Sequence, residues 1–234
     1  MKSRRVLLIA AAVGGAAVLA VALILVASSG SSSKTTTTVS TDASGPTSPI
    51  SLFAGIPQSG DTVGKASAPA TMLVFEDPQC PYCQQWNLDT LPTVVDQFVR
   101  TGRLKLTYRG IAIIGPNSIK GVRAVFAAGK QNKLWDFSEA LYEMQGEENS
   151  GWITDDVILS AARSAGADGA AILAASPSKA VTAQLAQANS EAETYRVQGT
   201  PTFVLEQPPG LPQQLNVTSL EPGPFTAELQ AALQ

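Results

Sequence analysis

The chain has 234 residues, two cysteines, no histidine and a formal net charge of −3, from 16 basic and 19 acidic residues, and 44% of it is hydrophobic. That length holds one domain or two small ones, and the apolar fraction excludes a wholly disordered chain. Without histidine there is no Ser-His-Asp triad, no Cys-His dyad and no His-rich zinc site, and a pI near 5.0 leaves no general basic surface for nucleic acid.

Lys2, Arg4 and Arg5 precede an uncharged apolar run over residues 6–27. As a helix this run is about 33 Å long, at ~1.5 Å per residue, and covers a hydrocarbon core of about 30 Å. Residues 1–27 are therefore expected to be a transmembrane signal-anchor held in the lipid bilayer through residues 6–27. Basic residues stay on the cytoplasmic side, which exports the rest of the chain. A cleaved signal peptide ending near Val26-Ala27-Ser28 is the alternative, although such peptides carry apolar regions of only about 7 to 15 residues. Residues 28–49 are nearly all Ser, Thr, Gly and other small residues, with nothing to bury, and are expected to be a flexible tether.

Residues 50–234 are expected to form one domain of mixed periodicity. Thr71 to Phe75 is a short apolar run bounded by prolines, which fits a buried strand. Leu88, Leu91, Val94, Val95, Phe98 and Val99 recur at helical spacing, with Pro92 predicting a kink and Thr101-Gly102 an end. Leu104, Leu106 and Tyr108 alternate with Lys105, Thr107 and Arg109 as in a half-buried strand. Strand, helix and strand in that order predict a βαβ unit with parallel strands. Residues 117–196 then read as three to five helices broken at Gly146, Gly151, Gly166 and Gly169. A strand over Gly199 to Leu205, a turn over Gln207 to Pro212, a short strand over Leu215 to Val217 and a closing helix over Pro224 to Leu233 complete the order.

Cys80-Pro81-Tyr82-Cys83 falls at the first strand-to-helix junction. The orphan N–H groups and positive dipole end of a helix favour an anion, so the Cys80 thiol is expected to be acidic. A thiolate at neutral pH is both nucleophile and leaving group in thiol–disulfide exchange. Cys83, three residues on, shares its face of the helix and can resolve a mixed disulfide formed at Cys80. Pro81 suits the first helical turn, where its missing N–H costs nothing. An inert structural disulfide is the competing reading, but a loop this short constrains the unfolded chain little. A zinc site would need two further ligands, and no third cysteine or histidine exists to supply soft ones, so no cofactor is expected.

These features resemble the DsbA-like proteins, thioredoxin-fold disulfide oxidoreductases of the bacterial envelope. The resemblance rests on Thr62-Val-Gly-Lys-Ala-Ser-Ala-Pro69, Asp77-Pro-Gln-Cys-Pro-Tyr-Cys83, Thr101-Gly-Arg-Leu104, Leu134-Trp-Asp-Phe137 and Gly199-Thr-Pro-Thr-Phe203. It implies an α/β thioredoxin fold whose βαβ unit and Pro201 strand are separated by a helical insertion. It also implies a cis Thr200-Pro201 bond beside the redox pair, with Thr200 presenting backbone to an extended substrate segment. Cys80 and Cys83 become the catalytic pair, supported by Pro81, Tyr82, Thr200 and Pro201, in a single-pass protein of the bacterial cell membrane.

The pattern departs from the family at two positions. Where relatives often keep a buried carboxylate six residues before the first cysteine, this chain has Val74, which leaves Glu76, Asp77 or water to relay protons. A solvated turn is the preferred reading of both acids. Tyr82 stands where the strongest oxidants have histidine, so a less extreme potential is expected. The function read here is disulfide formation in cysteine-containing exported proteins, with a membrane redox partner recycling the pair. A reductase or isomerase, and a non-enzymatic chaperone-like binding module, are the alternatives. Trp86 is read either as substrate surface or as packed core.

Overall fold

The computed structural model of the chain describes residues 51–234, so the membrane anchor expected over 1–27 and the tether expected over 28–49 lie outside the described residues. Among the described residues no helix is long and apolar enough to cross a membrane.

A hairpin of β1 (Gln58–Ser59) and β2 (Thr62–Val63) opens the fold, turning through Gly60 at φ +60°. Two-residue strands carry no periodicity, which is why neither is predicted from sequence. β3 (Ala70–Glu76) follows, with every residue but Thr71 buried, as expected of a strand paired on both sides. Its neighbours are β4 (Leu104–Gly110) in parallel, Ala70 opposite Leu104 and Glu76 opposite Gly110, and the later β5 (Thr202–Glu206) in antiparallel. With β6 (Gln213–Gln214) the strands run β1-β2-β4-β3-β5-β6 in one sheet.

The connection from β3 to β4 is a helical run over 81–99, made of α1 (Pro81–Gln85), a π-turn at Trp86–Thr90, α2 (Leu91–Val94) and a second π-turn at Val95–Val99. Pro92 removes one ladder donor and its ring needs room beside the preceding turn. The turn before it is widened, with Leu91 N–H donating to Trp86 O five residues back, so a π-turn takes up the distortion expected as a simple kink. Gly102, at φ +82°, ends the run.

β4 departs from the predicted half-buried alternation, because Thr107 and Arg109 are buried along with Leu104, Leu106 and Tyr108. It lies inside the sheet, with helical elements against it, and the buried Thr107 and Arg109 side chains are matched, while the Tyr108 hydroxyl has no partner among the described residues. Thr107 and Thr62 hydroxyls meet at 3.0 Å, and Arg109 pairs with Asp61 at 2.6 Å and with Glu191.

Five helices separate β4 from β5: α3 (Pro116–Gly129), α4 (Leu134–Glu143), α5 (Asp155–Ser164), α6 (Gly169–Ala175) and α7 (Lys179–Thr194). The last three start on capping side chains, Thr154, Asp168 and Ser178, each accepting from the N–H three residues on. The last strand forms at Gln213–Gln214 instead of Leu215 to Val217. There Gln213 and Gln214 pair with Leu205 and Val204, while Leu215 and Val217 turn partly inward onto the core. The closing helix α8 spans Pro222–Ala232, two residues earlier than predicted, with Pro222 in its first turn. Trp86 is fully buried, its ring centroid 4.6 Å from those of both Phe203 and Phe225, so it belongs to the core and not to a substrate surface.

Candidate active site

The site forms where β3 ends and α1 begins. Cys80 is the N-cap residue of α1, in extended conformation, with Pro81 in the first turn and Cys83 inside the helix. Cys80 is 5% exposed, Cys83 is fully buried, and both thiols are free.

Residues 77–80 are held by bonds that local sequence does not announce. Asp77 accepts from Gln79 N–H at 2.9 Å through one carboxylate oxygen, and from the N–H groups of Ile113 and Ile114 at 2.8 and 3.0 Å through the other. Gln79 donates to the Ser118 hydroxyl at 2.8 Å and accepts from Asn149 N–H at 2.8 Å. Gln145 donates to Pro78 O at 2.8 Å and to Cys80 O at 3.0 Å. Tyr142 O–H reaches Asp77 O at 3.3 Å. Residues from α3, from α4 and from the segment after it thus determine the shape of the active loop.

The Thr200-Pro201 bond is cis, and the Cys80 thiol donates to Thr200 O at 3.2 Å. Tyr82, 63% exposed, stands at the lip of a groove of about 330 Å³ lined by Gln85, Thr200, Pro201, Val217 and Leu220. The structure therefore gathers Cys80, Cys83, Pro81, Tyr82, Thr200 and Pro201 at one place.

The two thiols are electrostatically opposite. Cys80 is lowered to about 6, first by a hydrogen bond from the Cys83 thiol, then by the Thr200 side chain and the backbone N–H groups of Cys83 and Tyr82, with burial working against them. The helix terminus expected to do most of this contributes after the neighbouring thiol. Cys83 is pushed well above the ordinary thiol range, by burial first, then by the bond it gives Cys80 and by the charges of Glu76 and Cys80.

Glu76 and Asp77 are not a solvated turn, since both are fully buried. Glu76 closes a strand covered on both sides, and Asp77 is consumed by backbone donors. Burial raises the Glu76 carboxyl to about 8, the Cys80 charge adding to the rise, while a bond from Asn87 Nδ2 at 2.5 Å opposes it. The same amide donates to Cys83 O at 2.9 Å. Asn87, Gln145, Tyr142 and Gln79 are site residues that sequence reasoning missed. Asn87 alone carried a local signal, standing one helical turn beyond Cys83. Among the described residues no group of three or more Cys, Asp or Glu side chains is arranged to hold a metal ion.

Comparison with known proteins gives the site its context. A family profile described as thioredoxin matches residues 58–208, more than half of the chain. The chain is 33% identical over 101 residues to a probable disulfide bond formation protein D of Bacillus cereus, an overlap of 42% of this chain and 47% of that protein. It thus spans about half the length of the curated relatives it matches. Among solved structures it is similar to oxidised BdbD from Bacillus subtilis, with a TM-score of 0.64 and 20% identity over 76% of this chain and 97% of that one. A thioredoxin-like oxidoreductase from Silicibacter pomeroyi DSS-3 follows, with a TM-score of 0.57 and 27% identity over 79% and 96% of the two chains. The profile match over more than half of the chain and the likeness to these solved structures agree, and the chain belongs to the thioredoxin family, whose fold it carries in the DsbA-like form.

Proposed function

We propose that the chain is a thiol–disulfide oxidoreductase that forms disulfides in cysteine-containing exported proteins through Cys80 and Cys83. The observation that carries this reading is the asymmetry of the pair, an acidic Cys80 beside an open groove and a sealed Cys83 of high pKa behind it. In the oxidised pair, a substrate thiolate attacks the Cys80 sulfur. The substrate–Cys80 bond forms, the Cys80–Cys83 bond breaks, and the electron pair leaves on Cys83. A second substrate thiolate then attacks the first substrate sulfur and releases Cys80 as a thiolate, leaving the substrate oxidised and the pair reduced.

Glu76, raised to about 8, carries its proton at neutral pH and is the group suited to hand it to the departing Cys83 sulfur. Asp77, bonded to three backbone donors, is not. A thiol lowered from 9 to about 6 is largely ionised at pH 7, which favours the reduced pair and moves the couple in the oxidising direction. That sign supports the oxidase over the reductase or isomerase. Disulfide formation is also what the names of the Bacillus relatives describe.

The reading extends to a catalytic domain outside the cytoplasm of a bacterial cell, anchored by residues 6–27 on the tether 28–49, with a membrane redox partner reoxidising the pair. The test is the reduction potential of the full chain, together with titration of Cys80 by thiolate absorbance. A midpoint near pH 6 is expected, rising toward the ordinary thiol range in Cys83→Ala, which also traps mixed disulfides with exported proteins. A potential more negative than about −250 mV, near that of thioredoxin, assigns the pair to reduction instead. Absence of trapped species with binding retained assigns the protein to non-enzymatic binding.

A further inference from the structure

Glu76 Oε2 and Asn87 Oδ1 are both buried beside the redox pair, and among the described residues neither has a hydrogen-bond partner. Buried polar atoms are rarely left so; Tyr108 Oη and Trp86 Nε1 are likewise buried without a partner, and of these atoms only Glu76 Oε2 belongs to a carboxyl that can take up or release a proton beside the thiols. The two atoms belong to side chains joined to each other. Asn87 is 1% exposed and its amide nitrogen spans 2.5 Å to Glu76 Oε1 and 2.9 Å to Cys83 O. Its orientation follows from chemistry, because Cys83 O only accepts and must face the nitrogen. Asn87 lies in the π-turn at Trp86–Thr90 and turns its side chain back onto a carbonyl of the preceding turn.

We propose that Asn87 is a positioning residue for the resolving thiol: one amide ties the Glu76 carboxyl to the Cys83 carbonyl, committing Oε1 and leaving Oε2 as the oxygen that exchanges a proton with Cys83. The assignment rests on the thiol–disulfide reading above and names a residue that reading does not contain. In the resolving step the Cys83 thiol gives its proton to the Glu76 carboxylate and its sulfur attacks Cys80. The Cys80–substrate bond breaks and the electron pair leaves on the substrate sulfur. In the opposite direction the neutral carboxyl returns the proton to Cys83.

The groups facing this carboxyl are Cys80 at the N-cap of α1, Cys83 of α1, Tyr108 of β4 and Tyr142 of α4, with Asp77 next in the chain. Burial holds both tyrosines well above their ordinary range, so they stay neutral at working pH. The pH dependence of the resolving step therefore reports on Glu76 and the thiols.

The test uses the full chain in detergent, with glutathione as the probe. Oxidised protein is converted to the Cys80–glutathione mixed disulfide, and Cys83-dependent release of glutathione is timed across pH. In the unsubstituted protein the rate rises with a midpoint raised above the ordinary carboxylate range by burial but below about 8, because the Cys80 charge that adds to the rise is absent from the mixed disulfide. Asn87→Ala removes the bond that holds this midpoint down, so it moves up by about one unit or more and release at pH 7 slows about tenfold. Alkylation of Cys80 by iodoacetamide keeps its midpoint near 6 in the same variant, which a general loosening of the site does not allow. An unmoved release midpoint in folded Asn87→Ala overturns the inference and leaves the functional reading standing. A native Cys80 that forms no mixed disulfide overturns both. If the variant does not fold, the side-chain amide of Asn87 in reduced native protein decides by NMR. Its resonance follows the Glu76 carboxyl with a shared midpoint near 8, and an amide that does not titrate overturns the assignment.

Discussion

Glu76 is the residue whose environment departs most from what its type suggests. A carboxyl that titrates near 4.5 in ordinary surroundings and at about 8 in the folded chain binds a proton between those values that the unfolded chain has released. Stability therefore falls as pH rises from about 4.5 and levels off above about 8, with a slope approaching ~1.4 kcal/mol per unit. The lowered Cys80 thiol acts in the opposite sense between about 6 and 9, so the disulfide form, which has no titrating thiol, isolates the carboxyl. Urea unfolding of oxidised protein should show a decline that begins near pH 5 and ends below about 8, since the Cys80 charge that adds to the rise is absent there, and Glu76→Gln should flatten it. Equal slopes in the two proteins would remove Glu76 from the account. None of this was legible locally. The spacing of Glu76 from Cys80 was visible, but burial depends on β4 and β5 closing on both sides of β3, so a solvated turn was a fair expectation from an acidic pair before a proline.

The elements that matter for the site are the short loop between β3 and α1 and the helical segments that hold it. Cys80 as N-cap, Pro81 in the first turn and Cys83 one turn in are consequences of local chain geometry, which is why they could be read from spacing. The carbonyls of Pro78 and Cys80 instead depend on Gln145, some sixty-five residues away in sequence. Gln145→Ala leaves two partly buried carbonyls without that donor, and a loss of about 1 to 3 kcal/mol is expected, with faster hydrogen exchange at Gln79 and Cys80 than at β3. Exchange that speeds equally throughout would mean the clamp is not local. No feature of Gln145 distinguishes it in sequence from the other glutamines, since its role exists only once α4 packs beside α1.

At the scale of the molecule, Arg109 joins three parts of the chain. It lies on β4, 9% exposed, and pairs with Asp61 before β2 and with Glu191 on α7, linking the opening hairpin and the helical segment to the central sheet. Arg109→Met strands two carboxylates, and a cost of about 3 kcal/mol is expected by chemical denaturation, while Cys80 titration stays near 6. A loss below about 1 kcal/mol would place the linkage in apolar packing alone. Sequence by itself determined the strands at β3 and β5, the helical run after the cysteines, the parallel βαβ unit and the placement of Cys80 and Cys83 at the strand-to-helix junction, because these follow from periodicity, turn residues and spacing within a few turns of chain. Tertiary structure alone decided that Cys80 is made acidic chiefly by Cys83, that Glu76 is neutral beside them, that Trp86 is core and that Asn87 and Gln145 belong to the site. Those outcomes are set by desolvation and by hydrogen bonds between distant segments, and both come into being only when the sheet and its helices close around the loop.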